Sequence, residues 1–490
     1  MKPVAETDRN STNLGNAIIY GLREDLHLSS IQYSTVLTTF FITYILFDIP
    51  SNILLKKFTP RIFRMLEALF LSQPDDLVRD RGLTVKCFCD QVSFAAFVFG
   101  LITLGMGFVQ NFSGLLVLRL LLGIAQAGVL PGCAYLVGSW YARKHGLRRF
   151  SVYMSATSLS SAFGGLLAAT IGKMDGLLKL SGWRWLFILQ GVGTCIAGVI
   201  LFFTMTDFPE DATWLTEEER DYVTARLQAE QGSSAIEVGL RKRDIWNTLT
   251  DPTMVLLGLI HLCVSVPGNM SSYFAPIIVN SLGTYTPVQT QLHTAPVWVV
   301  AFGLSLIVAY VSDKIRSRYA VTIFCSFVSI IGFTILFAEP FNFHVQYGAL
   351  FLAVSGIASL WPGMSAILPF SFFLPIPIHI DPSNTVEICW GAMNLGGHRR
   401  RAIGSATQIA VGNIGGIISS YCFQTEDASF RFPYAISACF CCLAAVFCTL
   451  YASCCWWRNH QRAAQGWGAG LSDHEKAMMG DRSPSYKFMI

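Results

Sequence analysis

The sequence predicts an all-α polytopic membrane protein with two pseudo-symmetric six-helix halves. Three observations carry this reading. The chain is 52% hydrophobic and only 13% charged, against the roughly 25% charged residues of a soluble domain, so most of its surface belongs in lipid. Eleven apolar stretches approach the roughly 20 residues that a helix needs to cross a bilayer. One pattern also occurs twice. Arg148, Arg149 and Phe150 precede Ser155-Ala156-Thr157, then Gly164-Gly165 and Leu166-Leu167. Arg399, Arg400 and Arg401 precede Ser405-Ala406-Thr407, then Gly415-Gly416 and Ile417-Ile418. A basic anchor, a small-residue triplet and a glycine pair repeated in order mark an internal repeat of membrane helices.

The apolar stretches lie near 31–55, 92–110, 114–140, 151–172, 185–205, 253–279, 294–312, 320–338, 346–364, 402–423 and 433–455. Between the fifth and sixth runs a polar segment, 206–250, with Thr216-Glu217-Glu218-Glu219 and Arg241-Lys242-Arg243. Thr216 followed by Glu219 is a capping box, which predicts a short amphipathic helix there. The expected organisation is therefore an N-terminal half (1–205), a cytoplasmic linker (206–250), a C-terminal half (251–456) and a disordered cytoplasmic tail (457–490).

Loop charge sets the orientation. Lys56, Lys57 and Arg61, then Arg143 to Arg149, then Lys314, Arg316 and Arg318, then Arg399 to Arg401 and Arg458, fall on one side. The intervening loops carry almost no Lys or Arg, so the basic loops and the C-terminus face the cytoplasm. Eleven spans then leave the N-terminus outside, whereas a two-fold repeat requires an even number. One helix is expected to be missing before residue 31. Two segments look foreign: about 64–91, with Asp75, Asp76, Arg79, Asp80, Arg81 and Asp90, and about 367–388, with Pro369, Pro375, Pro377 and Pro382. Both are long for a helix–helix connection.

Several function classes drop out. A net charge of +4 placed in short loops serves topology and not nucleic acid. Of the 14 Cys, six fall between Cys439 and Cys455 on a membrane helix, where they act as small apolar residues. Cys87-Phe88-Cys89 is too short for a zinc half-site. No nucleophile–base spacing, nucleotide loop or metal set appears, so neither an enzyme nor a cofactor is expected. The first thirty residues hold no apolar core of a signal peptide.

Specific stretches then point to a family. They are Tyr44-Ile45-Leu46-Phe47-Asp48-Ile49-Pro50-Ser51-Asn52 with Lys56 to Arg61, Arg119 to Gly128 with Pro131-Gly132, Ser181-Gly182-Trp183-Arg184-Trp185-Leu186-Phe187, Asp207-Phe208-Pro209-Glu210, and Gly412-Asn413-Ile414-Gly415-Gly416. The chain resembles fungal transporters of the major facilitator superfamily, in the anion:cation symporter group of allantoate and nicotinate permeases. The resemblance implies the major facilitator fold and a monomer in the plasma membrane. It also implies proton-coupled symport of a small organic anion, a carboxylate such as nicotinate, allantoate or pantothenate. It spans nearly the whole chain apart from 1–12, 64–97, 365–388 and the tail. Family members open with a full helix ending in Asp-Arg-Thr-Asn, whereas here Asp8-Arg9 is followed by Asn10-Ser11 and then Thr12-Asn13. A lost first exon and two retained introns are the expected account of this departure and of the foreign segments. The alternative reading is accordingly a non-transporting nutrient sensor or an inactive relic.

Ionisable residues in membrane helices cost on the order of 2.5–3.5 kcal/mol to insert, so each is a candidate for function. Arg119, inside the fourth apolar helix of the implied fold, offers a planar fork for a carboxylate; its alternative is a snorkelling or bundle-pairing role. Gln126 lies seven residues on, on the same face. By the resemblance, many relatives carry Glu there, whereas Gln cannot titrate. Arg9 resembles the family's solute-facing arginine. Asn269 and Tyr273, near Pro267 and Gly268, suggest a broken helix around a solute site. Gln408 and Asn413 are candidates for the same cavity. Asp48 with Lys56 and Arg61, and Asp313 with Arg316, are candidate gate residues; simple charge anchoring is the competing account. His261 is a candidate proton relay or a packed hydrogen-bonder. The paired glycines read as packing surfaces.

The repeat predicts one sidedness for both basic anchors. Labelling single cysteines in 143–149 and 399–401 with an impermeant reagent is expected to mark both from the cytoplasmic side, and opposite sides would break the repeat.

Overall fold

The computed structural model describes residues 12–57, 87–127, 162–204, 215–231, 250–281, 285–315, 318–339, 342–360, 398–422 and 430–465. Among these residues every regular element is helical. In chain order they are α1 (Thr12–Ile19), α2 (Leu22–Asp25), α3 (Ser30–Lys57), α4 (Cys87–Met106), α5 (Phe112–Ala127), α6 (Ala162–Met174), α7 (Gly182–Thr204), α8 (Glu217–Gln231), α9 (Pro252–Ser281), α10 (Pro287–Ile315), α11 (Arg318–Ala338), α12 (Phe343–Leu360), α13 (His398–Tyr421) and α14 (Arg431–Gln465). All eleven apolar stretches hold a helix. Six helices, α3, α7, α9, α11, α12 and α14, are long and apolar enough to cross a membrane, while α4, α5 and α6 carry shorter apolar stretches. Before residue 30 only α1 and α2 appear among the described residues, and α1 is eight residues, about 12 Å. The segment 367–388 and most of 64–91 lie outside the described residues, as do the tail from 466 and most of the linker. α4 starts at Cys87, so residues 87–91 of that segment are helical.

The helices gather in two compact units. One comprises Thr35–Gly146 and Arg184–Ser233. Here α4 packs on α5 and on α7. The α4–α7 approach needs glycine: a Cβ on Gly191 would sit 2.6 Å from the Leu104 Cα. Arg184 donates to the Gly107 and Val109 carbonyls at 3.1 and 2.8 Å. These are orphan acceptors past the end of α4, where the helix dipole also favours a cation. The capping box forms as its sequence implies. The Thr216 N–H donates to Glu219 Oε2 at 3.1 Å, and the Glu219 N–H donates to Thr216 Oγ1 at 3.4 Å.

The other unit comprises Met1–Ser34, Leu147–Trp183 and Ser234–Ile490. α9 is its hub, touching α1, α10, α12, α13 and α14. Met254, Leu257 and Ile260 of α9 pack on Cys448, Tyr451, Ala452 and Cys455 of α14. Cys441, Cys448 and Cys455 recur every two turns on the buried stripe, so the cysteine cluster supplies small apolar knobs. The opposite face, with Leu443, Val446 and Leu450, is exposed for lipid, and Trp456 and Trp457 end it as interface anchors.

Asp251 caps α9, followed by Pro252 at the first helical position, where its missing N–H costs nothing. The carboxylate accepts from the Thr253 N–H and hydroxyl at 3.1 and 2.7 Å and from Arg458 of α14 at 3.0 Å. Burial pushes this acid up, but Thr253 and Arg458 outweigh burial and hold it near 2, below its ordinary 3.8. An acid depressed by folding contributes stability above its unfolded pKa, and loses it as pH falls from about 4 through about 2. Asp251→Asn is expected to lower the unfolding free energy by roughly 1–3 kcal/mol. Thermal unfolding in detergent should show the same loss at pH 5 and pH 8.

Candidate functional site

Four residues of α9, each a turn apart, form a polar column: His261, Ser265, Asn269 and Tyr273. Asn269 Nδ2 donates to the Ser265 carbonyl at 2.9 Å and lies 3.0 Å from its hydroxyl; the Tyr273 hydroxyl donates to Asn269 Oδ1 at 3.3 Å. The expected break at Pro267 does not occur, and α9 runs unbroken through Pro267 and Pro276. Within the helix Asn269 donates to the Ser265 carbonyl and the Ser271 hydroxyl donates to the Pro267 carbonyl at 2.8 Å, so both polar side chains are met by α9 itself.

The column borders α13. The His261 ring lies directly over Gly412, and any Cβ there would overlap it. A Cβ on Gly415 would stand 2.9 Å from the Ser265 Cβ. Glycine is therefore what lets the imidazole fit between the helices. Gly415 is a close-approach position as expected, whereas a Cβ on Gly165 would make ordinary contact with Gln291 at 3.5 Å and one on Gly164 meets nothing within 4 Å. On α13, Gln408 is one turn before Gly412 and 1% exposed, and Asn413 is half-buried beside it. His261 Nδ1, Gln408 Nε2 and Asn413 Nδ2 are buried with no hydrogen-bond partner among the described residues. Each such atom costs about 1–3 kcal/mol when left unmet. Two amide donors and an imidazole suit a solute rich in acceptors.

Arg119 and Gln126 belong to the other compact unit. Arg119 is 6% exposed on the buried stripe Leu115, Arg119, Leu122, Gly123 and Ala127 of α5. Gly123, one turn later, abuts Thr43 of α3. Gln126 is half-buried at the same end of α5. So a fixed positive charge sits well inside an apolar helix. Of the candidate gate residues, Asp48 and Lys56 lie in α3 and Asp313 in α10, with only their helical backbone described. Arg9, Arg61 and Arg316 lie outside the described residues.

Sequence reasoning passed over Ser265, although its spacing of four from both His261 and Asn269 was the available signal. It also passed over Asp25, whose carboxylate accepts from Ser181 and, at 2.8 Å, from the indole of fully buried Trp183. Nothing in the spacing of Asp25 and Trp183 announces that pairing.

Comparison with known proteins agrees with this architecture. The family described as Major Facilitator Superfamily matches residues 91–374. A "Major facilitator-type transporter hxnP" from Emericella nidulans is 30% identical over 98% of this chain and 88% of its own length. An "MFS-type transporter cnsO" from Penicillium expansum is 28% identical over 98% of this chain and 86% of its own length. A solved bacterial homologue of the human lysosomal transporter Spinster, inward-facing and occupied, superposes with a TM-score of 0.59 at 12% identity, covering 90% of this chain and 94% of that one.

Gly412→Val drives a branched side chain into the His261 ring. It is expected to destabilise the protein by roughly 1–3 kcal/mol, as overpacking does. Gly348→Ala, whose Cβ meets nothing within 4 Å, should not. Unfolding midpoints of the two purified variants check this.

Proposed function

The chain belongs to the Major Facilitator Superfamily, and from that premise we propose that it is a secondary active transporter moving a small organic anion together with protons by alternating access. The observation that carries the anion reading is the chemistry of its buried polar groups. Arg119 places a permanent positive charge within α5, and Gln408, Asn413 and His261 hold unmet hydrogen-bonding atoms in the other unit. A carboxylate suits the chemistry of either set taken by itself, since it accepts from a guanidinium fork and from amide donors alike. A nicotinate-, allantoate- or pantothenate-like acid has this chemistry.

Gln126 carries no proton, so in this reading the coupling proton resides on His261. Its imidazole is placed against α13, where protonation changes its hydrogen bonding from donor-acceptor to donor alone. One pH unit supplies about 1.4 kcal/mol per proton, and 100 mV about 2.3 kcal/mol per charge. Moving a monoanion with two protons uses both gradients. The protein works as a monomer, in the plasma membrane, with its C-terminus in the cytoplasm.

Uptake by proteoliposomes across a panel of labelled carboxylates tests the reading. Saturable, acid-stimulated uptake is expected, with Arg119→Ala at least tenfold lower and His261→Gln active but no longer stimulated by acid. Uptake of neutral solutes in preference to acids, or normal uptake by Arg119→Ala, overturns it. Solute binding with no flux in any preparation would favour the sensor reading.

A further inference from the structure

At the end of α10 away from the basic flank of Lys314, Arg316 and Arg318, a polar seam joins segments far apart in sequence. Gln291, in the first turns of α10, donates through Nε2 to Asn16 Oδ1 of α1 at 2.9 Å. Their sequence separation is 275, and the two are 0% and 5% exposed. α6 closes over the same place: a Cβ on Gly165 would lie 3.5 Å from Gln291 Oε1. Nearby the Tyr20 hydroxyl donates to the Ala168 carbonyl at 2.8 Å, tying the end of α1 to α6. Charge distribution places this end outside.

The bond is poised rather than strong. Gln291 Oε1 is buried without a hydrogen-bond partner among the described residues. The cost of an orphaned acceptor is comparable to, or exceeds, the net gain of a single neutral hydrogen bond. A seam built for permanent packing would meet both amide atoms or use apolar side chains. One that parts to water repeatedly meets one atom when shut and both when open. We infer that the Asn16–Gln291 amide pair is a latch that holds the extracytoplasmic end shut and releases it during each transport cycle. The inference rests on the transporter reading, but not on which solute is carried.

Thr294, one turn deeper on α10 and 3% exposed, reports whether this end is open. The measurement is the rate at which an impermeant maleimide applied from outside labels Thr294→Cys, less the labelling of the otherwise identical protein without that cysteine. Added singly, Asn16→Leu and Gln291→Leu are each expected to raise the rate at least threefold. Together they should raise it no further than either alone, because one bond is lost in all three. The exchange Asn16→Gln with Gln291→Asn preserves the amide pair and is expected to return the rate to that of the parent. Should the leucine variants not reach the membrane, Gln291→Met, of similar length, replaces them with the same expectation. Parent-like labelling in the single variants overturns the latch. So does additive labelling in the double variant, or an exchange variant as open as the singles, since each marks loosened packing instead. The assay contains no solute, so a wrong assignment of the anion leaves its outcome unaffected.

Discussion

In a bilayer no polar group finds water, so each must be met from within the protein. That constraint shapes almost every local feature of this chain. It makes all regular structure among the described residues helical. It explains why Asn269 and Ser271 reach back to carbonyls of α9 itself. It explains why Arg184 folds onto the carbonyls past α4, and why Asp251 gathers Thr253 and Arg458 at the membrane edge. Wherever a polar side chain is not met, the exception is informative, because the energy that would normally remove it from a membrane protein has been tolerated.

Some of those exceptions gather. His261, Gln408 and Asn413 occupy neighbouring turns of α9 and α13, and Gln291 sits in the seam with α1 and α6, while Thr38, Gln190 and Ser355 hold others elsewhere. The first group has the chemistry of a surface awaiting a solute. The second has the chemistry of a contact awaiting water. A transporter needs both kinds of incompleteness. A site fully satisfied by its own protein has no affinity left for cargo, and a gate fully satisfied when shut does not open on a useful timescale. Stability is supplied elsewhere, by the apolar seam of α9 with α14 and by the glycine-mediated approach of α4 to α7.

Glycine position is the second lever. Where backbones must come close, as at Gly191, Gly412 and Gly415, a Cβ would meet backbone, imidazole or a serine side chain. At Gly164 and Gly348 it would meet nothing. Sequence alone presents all of these as small residues in apolar helices, and the paired Gly164-Gly165 looks like one packing surface. Only the neighbour across the interface separates the glycine that matters from the one beside it.

Much of the architecture was legible in the residues themselves. Hydropathy and length placed the helices, because crossing lipid demands a continuous apolar run and little else. The Thr216–Glu219 capping box was readable because it is a local interaction, closed within one turn. Candidate polar residues on α9 and α13 were readable because lipid makes them expensive. What stayed hidden was long-range. The unbroken course of α9 through Pro267 and Pro276 was hidden behind the break that their rigid rings suggest. The pairing of Asn16 with Gln291, of Asp25 with Trp183 and of His261 with Gly412 depended on which helix lies beside which. Composition and periodicity describe a helix facing a medium. They do not name its partner, and a hydrogen bond across 275 residues exists only once the helices have packed.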